Sequence, residues 1–305
     1  MIKWYFIVNP AAGSGKTAHR WQQYLPRLQA AFPAMEWVST THAGAASQLA
    51  LAAIQRGYRN IIAVGGDGTN FEVINGIFLS AYAEEVTYCL LPVGSGNDWA
   101  KTHRIPRRLA AWINMIKAND IRYQRIGIIQ YFLEGKPQQR FFANVAGLAY
   151  DAYVVRRSEQ AQFKNRLIYP LLTLLYLKDY QPQRIRLQYD GHGEITNRFY
   201  TINVGIGKYS GGGMRLVPQA QPNGNTFALT YAKHLSIWSI LWHSWRFYHG
   251  SIGQVKQVTT TFAKVIHITA EPSNQVSVEA DGEWLGYGPV TFNLHPVRLR
   301  LVGNV

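Results

Sequence analysis

The sequence predicts two domains: an N-terminal α/β domain built on a parallel sheet, then an all-β domain, an antiparallel β-sandwich. Three observations carry this. The first third alternates short apolar runs with longer amphipathic ones, the pattern of βαβ units. Beyond about residue 120 strand-like segments dominate, many with period-two alternation, as at Val276, Val278 and Ala280. The length of 305 residues suits about two domains.

In chain order, "IKWYFIV" (2–8) predicts a strand, and "GKTAHRWQQYLPRLQAAF" (15–32) a helix interrupted at Pro26. "MEWVST" (35–40) predicts a strand and "GAASQLALAAIQRGY" (44–58) a helix. "NIIAVGG" (60–66), "TNFEVINGIFLS" (69–80) and "VTYCLLPV" (86–93) continue as strand, helix, strand. Helices follow over 97–104 and 107–118. We place the domain boundary between 122 and 123, with the last strand allowed to return to the first domain. Later strands are expected over 123–133, 140–150, 184–190, 198–206, 226–232, 255–270, 275–282 and 290–302. Helical inserts are expected at about 156–179 and 235–249.

The 31 basic residues outnumber the 17 acidic ones, a net charge of +14. Such an excess favours polyanions: nucleic acid, an anionic membrane surface or phosphorylated ligands. The single cysteine, Cys89, excludes a disulfide framework and a cysteine metal site. The apolar run before Asn9 has five residues, short of the roughly 7–15 of a signal-peptide core. "LIYPLLTLLYL" (167–177) contains Pro170 and has about half the length a membrane span needs. A cytoplasmic protein, peripheral at the membrane, is expected.

Three loops each follow a predicted parallel strand: "NPAAGSG" (9–15), "GGDGTN" (65–70) and "PVGSGND" (92–98). In an open α/β sheet such loops converge at the carboxyl ends of the strands, where ligands bind. Their glycines and hydroxyls suit phosphate. The acids Asp67 and Asp98 then make sense with a divalent cation between carboxylate and phosphate. The first loop is not a P-loop, because Pro10 stands where the pattern needs glycine. "GSGNDW" lacks the third glycine of a dinucleotide fingerprint. Hydrolase and zinc motifs are missing, as is any motif that reads nucleic acid, so we expect no nucleic-acid partner.

With these loops the chain resembles the diacylglycerol kinase catalytic family, the lipid kinases that include sphingosine and ceramide kinases. The matching blocks are "NPAAGSGK", "GGDGTNFEVING", "LPVGSGNDWA", "NVAGLAYDA", "SGGGMRLVPQA" and "EADGEW", spread over essentially the whole chain. GGDGT alone is shared with NAD kinases and phosphofructokinases; the GNDWA block and late DGE point to lipid. The resemblance implies a nucleotide-binding first domain, a β-sandwich second domain and an active site in the cleft between them. It implies an enzyme that moves the γ-phosphoryl group of ATP, with Mg²⁺, to a hydroxyl of a membrane lipid such as diacylglycerol. Gly65, Gly66, Asp67, Gly68, Thr69 and Asn70 would wrap the phosphates. Asn9, Thr40, Ser95 and Asn97 would contact nucleotide. Glu283 matches the proposed proton acceptor, Asp67 is the rival base, and Asp98 completes the catalytic acids.

Two departures stand out. Arg125 occupies a position where the family has Asp, and Asn223 one where an Asp-Gly helps hold a structural Mg²⁺. They leave the metal ligands unassigned. They also keep open a catalytically weak nucleotide- or lipid-binding member, beside an NAD-type kinase sharing GGDG. The segment 235–250 carries Trp238, Trp242 and Trp245 on one helix face. That face suits a bilayer interface or packs on the sandwich. Basic residues there would each contribute about 1 kcal/mol near an anionic membrane. A homodimer is left open.

Overall fold

The computed structural model describes residues 2–160, 176–233, 235–271, 273 and 275–303. The chain divides into two compact units, Met1–Ile126 with Pro296–Val305, and Gly127–His295.

The first unit is built on β1 (Tyr5–Val8), β2 (Glu36–Ser39), β3 (Asn60–Gly65), β4 (Thr87–Pro92), β5 (Ile121–Gln124) and β16 (Leu299–Val302). Their order is β2-β1-β3-β4-β16-β5. The first four strands and β16 run parallel, and β5 is antiparallel to β16. β1 and β4 are buried at every residue, which is why their sequences are unbroken apolar runs rather than alternating ones. The connecting helices are α1 (Lys16–Ala31), α2 (Ala45–Gln55), α3 (Asp67–Phe78), α4 (Asp98–Thr102) and α5 (Leu109–Ala118). α2 and α3 touch through Gly76, where an added Cβ would stand 2.3 Å from the Ser47 carbonyl oxygen.

Several expectations change here. α1 runs unbroken through Pro26, whose ring sits on the exposed face of the helix. The third helix starts at Asp67, two residues earlier than its apolar pattern suggests. The segment 123–133 is two strands, and 290–302 is likewise divided, with β16 beginning beyond Pro296. The boundary expected between 122 and 123 falls inside β5, which β16 holds in the first sheet.

The second unit contains β6 (Gly127–Leu133), β7 (Lys136–Phe142), β8 (Val145–Ala149), α6 (Tyr150–Gln160), β9 (Arg184–Tyr189), β10 (Ile195–Gly205) and β11 (Phe227–Lys233). It continues with α7 (Ile237–His243), α8 (Trp245–His249), β12 (Val258–Ala263), β13 (Val265–Glu271), β14 (Ser277–Ala280) and β15 (Glu283–Leu294). All ten strands hydrogen-bond into one antiparallel sheet. The sheet folds back on itself, because β9 pairs with both β13 and β10. Phe142, Phe227 and Phe292 meet at its centre with ring centroids 5.9–6.4 Å apart. Gly127 leaves room for them: a Cβ there would lie 2.1 Å from the Phe142 ring. The strand expected over 255–270 is two, β12 and β13. Of the helix expected over 156–179, α6 covers the start and a 3₁₀ turn the end (Tyr176–Lys178); residues 161–175, with most of the apolar run, lie outside the described residues. No helix among the described residues is long and apolar enough to cross a membrane.

Candidate functional site

In the first unit the loops after β1, β3 and β4 lie side by side, because those strands are parallel neighbours. Backbone bonds knit them together: Asn9 N–H donates to the Val64 carbonyl (2.9 Å), and Val93 and Gly94 N–H both donate to the Gly65 carbonyl (2.9 and 3.0 Å). The closest approach is glycine on glycine. A Cβ on Gly94 would sit 2.5 Å from Gly66 Cα, so only a chain without side chains there lets the loops meet.

Asp67 is buried and begins α3. Its Oδ1 accepts the backbone N–H of Asp98 (2.7 Å) and, more weakly, of Trp99 (3.4 Å). The acid therefore sits where two helices begin, and the partial positive charge of helix N-termini favours it there. This accounts for one carboxylate among phosphate-type glycines. Asp98, also buried, pairs with Lys101 Nζ at 2.9 Å.

The other expected residues divide into two groups. Gly66, Gly68 and Asn9 are half-buried and Ser95 is exposed, so these face accessible space. Asn9 Nδ2 donates to Thr69 Oγ1 (3.0 Å). Gly65 and Thr69 are packed together beneath the loop. Asn70 is turned inward, accepting from Tyr88 Oη (2.7 Å), and Asn97 donates to the Gly94 carbonyl (2.6 Å). Asn97 adopts a left-handed φ of 52°, which asparagine tolerates, and this turns the chain into α4. Thr40 is buried and holds the β2 end by donating its N–H to Val8 (2.8 Å).

Behind α4, Gln124 Oε1 accepts from Trp99 Nε1 (2.8 Å) and contacts His103 Nε2 (2.6 Å). An oxygen acceptor there requires the proton on Nε2. Burial pushes the His103 imidazole down to about 4, so it is neutral at pH 7. Arg125, half-buried, donates to the Pro296 carbonyl (3.3 Å).

In the second unit, Asp281 and Gly282 form the two-residue turn between β14 and β15, both at positive φ (53° and 87°). Glu283, just beyond, is exposed. Asp281 accepts three backbone N–H groups, from Ala143 (2.9 Å), Asn144 (2.9 Å) and Val145 (3.1 Å). The turn carrying Glu283 is thereby fastened to the start of β8.

Next to it lies an acidic cluster that sequence reasoning did not single out. Glu279 is buried, and its Oε2 accepts the Gly282 N–H (2.9 Å). Asp151 accepts from Thr201, which in turn accepts from Asn203 Nδ2 (3.0 Å). Gly147 makes room for both acids: a Cβ there would lie 2.6 Å from Glu279 Oε1 and 2.8 Å from Asp151 Cβ. Burial raises the Asp151 carboxyl to about 6. Burial, then the neighbouring acids Asp151, Asp281 and Glu283, raises Glu279 well above its ordinary range. The signal lay in the blocks "NVAGLAYDA" and "EADGEW", which contain Gly147, Asp151 and Glu279. Asn223 is exposed in the turn before β11.

Comparison with known proteins places these features. The model of the diacylglycerol kinase catalytic domain matches residues 3–129. That of the YegS C-terminal NAD kinase beta sandwich-like domain matches residues 144–303. The chain belongs to the diacylglycerol kinase catalytic-domain family. Membership makes it an enzyme of the lipid kinase class. It is 27% identical over 295 residues to a diacylglycerol kinase of Bacillus subtilis, covering 94% of this chain and 91% of the relative. It is 24% identical over 298 residues to a diacylglycerol kinase of Mycobacterium tuberculosis, covering 97% and 93%. The crystal structure of a diacylglycerol kinase from Bacillus anthracis shares the fold, with a TM-score of 0.73, 23% identity and coverage of 99% of this chain and 97% of that one.

A kinase of this family uses a divalent cation as a rule. Among the described residues no group of three or more His, Cys, Asp and Glu is arranged to hold a metal. Asp67 turns Oδ1 to α4, and Asp98 pairs with Lys101. Mg²⁺ commonly binds through one or two carboxylates plus substrate phosphates and water, and these loops fit that pattern rather than a protein cage.

Proposed function

We propose that this lipid kinase is ATP-dependent and transfers the γ-phosphoryl group to a hydroxyl of a membrane lipid such as diacylglycerol, working at an anionic membrane surface. The observation that supports this most is the glycine-on-glycine contact of the β3 and β4 loops, with Gly66, Gly68 and Ser95 on the accessible side. Backbone groups brought so close to a surface suit a triphosphate. Asn9, Thr40 and Ser95 contact the nucleotide; Thr69, Asn70 and Asn97 shape the loops from beneath. Asp67 and Asp98 are the carboxylates that would hold a Mg²⁺ brought with the nucleotide, and the ion would supply neutralisation of phosphate charge.

In the reaction the acceptor oxygen forms a bond to the γ-phosphorus while the bond from that phosphorus to the β–γ bridging oxygen breaks, releasing ADP. The hydroxyl proton passes to a carboxylate. Glu283 is our first choice, since it is exposed and held on a turn that Asp281 pins in place. Asp67 is the rival, though its Oδ1 is engaged by α4. The test is incubation of the protein with γ-labelled ATP and a panel of lipids plus NAD, with and without Mg²⁺. Label in a lipid supports the proposal; label in NAD alone, or in nothing, overturns it.

Arg125 and Asn223 favour a second reading, a nucleotide- and lipid-binding member with weak catalysis. Arg125 is tied to the Pro296 carbonyl, at a position to which the family resemblance assigns an acid. That reading predicts thermal stabilisation by ATP without transfer to any lipid.

A further inference from the structure

The helices α7 and α8 carry four of their aromatic residues outward. Trp238 is 80% exposed, Trp242 79%, Trp245 54% and Tyr248 50%. The opposite side of the same segment packs inward: Ile240 is buried, and Phe247 lies against the cluster that contains it. Of the two readings of the tryptophan face, packing on the sandwich is therefore excluded. Burying a tryptophan removes a large apolar area from water, so two left almost fully exposed, a helical turn apart, mark an interaction surface.

The cations beside this surface indicate its partner. Arg215 donates its N–H to the Phe247 carbonyl (2.7 Å) and its Nη1 to the His249 carbonyl (3.4 Å), so Arg215 and Arg246 both stand at α8. The stretch of chain that carries α7 and α8, from Ile195 to Ala270, contains no Asp or Glu. Arg246 lies over the Trp245 ring at 4.8 Å and is steadied by Gln254 Oε1 at 2.8 Å. A second copy of the chain is a poor occupant: a two-fold contact through α8 would bring Arg215 and Arg246 up to their own copies. Tryptophan and tyrosine belong at the headgroup level of a bilayer, and arginine and lysine beside them are drawn to anionic lipid. A short amphipathic helix seats its apolar face about 5–10 Å into that boundary.

We propose that α7 and α8 form an interfacial docking element that inserts Trp238 and Trp242 into an anionic bilayer, with Arg246 at the phosphate level. This deepens the lipid kinase proposal by naming the surface that meets the substrate's membrane. It also stands apart from the chemistry, because docking is measured without ATP.

The experiment is co-sedimentation of the full chain with phosphatidylcholine vesicles, with and without phosphatidylglycerol, at low and high salt. The wild type is expected to bind the anionic vesicles and to release as salt rises. Trp238→Ser with Trp242→Ser should weaken that binding at least roughly tenfold. Arg246→Gln should weaken it less and flatten its salt dependence. Trp37→Ser, an exposed tryptophan of the first unit, is the control and should leave binding unchanged. Circular dichroism and thermal melting of the double variant should match the wild type, since neither side chain is buried. Transfer to a short-chain, water-soluble diacylglycerol separates the two proposals. Vesicle binding lost with soluble-substrate transfer kept supports docking. Vesicle binding by a wild type that phosphorylates no lipid leaves docking standing and removes the ATP-dependent reading. Docking is overturned if the wild type ignores anionic vesicles, if the double variant binds as well as wild type, or if the substitutions only dissociate a dimer.

Discussion

The carboxylate of Asp67 accepts the backbone N–H of Asp98 at 2.7 Å, joining the first residue of α3 to the first residue of α4. The acid of the GGDG loop is thus a tether between two loops as well as a candidate in the chemistry. These roles separate by substitution. Asp67→Asn keeps an oxygen acceptor and should hold the melting temperature near wild type. Asp67→Ala leaves buried N–H groups unpaired and should cost about 1–3 kcal/mol. If Asp67 also serves the phosphates or the acceptor, Asp67→Asn lowers transfer by roughly a hundredfold or more. Full activity in a stable Asp67→Asn protein would leave it a tether alone.

The same logic applies to the DGE turn, with the roles on different residues. Asp281→Ala removes the acceptor of three buried N–H groups and should destabilise the protein by about 3 kcal/mol, seen as a lower urea midpoint. Glu283→Gln, on an exposed side chain, should shift stability by less than about 0.5 kcal/mol. It should nonetheless abolish transfer if Glu283 is the base. A Glu283→Gln enzyme with unaltered kcat would move the base to Asp67.

The parallel domain was readable because β3 and β4 are apolar on both faces and each is followed by a glycine loop. What escaped the sequence was long-range pairing. Nothing in the residues around Asp67 shows that its partner is a backbone N–H 31 positions away. Period-two alternation also continues where a strand ends and the chain changes sheet, so β5 and β6 read as one strand across Arg125 and Ile126. The acidic cluster was hidden for a related reason. Gly147, Asp151 and Glu279 meet only once β8 pairs with β14, a register the alternation pattern does not specify.

A buried histidine and a pair of buried acids give stability opposite pH dependences. His103 titrates near 4 when folded, against an ordinary 6.5, because burial disfavours its charge. Between those values the unfolded chain binds more protons, so its contribution is complete above pH 6.5 and is lost on acidification towards 4, roughly 3 kcal/mol in all. Asp151 is raised from 3.8 to about 6, and Glu279 is raised too. There the folded chain binds more protons, so stability is present below the unfolded value and falls as pH rises through the folded one. Melting temperatures across pH 4 to 8 should therefore respond to two substitutions in contrary ways. His103→Gln should remove loss on the acid side, and Glu279→Gln should remove loss on the neutral side and stabilise at pH 7. Unchanged slopes in both variants would refute these assignments.

Gly94 offers the sharpest test of the loops. An added Cβ would stand 2.5 Å from Gly66 Cα, 3.2 Å from Gly66 N and 3.0 Å from Asn97 Oδ1. Two of these are backbone atoms, so no side-chain rotation relieves the clash. Gly94→Ala must push the β3 and β4 loops apart, at about 1–3 kcal/mol of stability. The displaced loop is the one we assign to phosphate, so ATP affinity should fall at least roughly tenfold, since misplaced donors no longer converge on one anion. Ser95→Ala provides the comparison: its side chain is exposed, stability should hold within about 0.5 kcal/mol, and affinity should drop only a few-fold. Titrating ATP with Mg²⁺ while following thermal shift reads both variants directly. A folded Gly94→Ala protein that binds ATP as tightly as wild type would place the nucleotide elsewhere on the first unit.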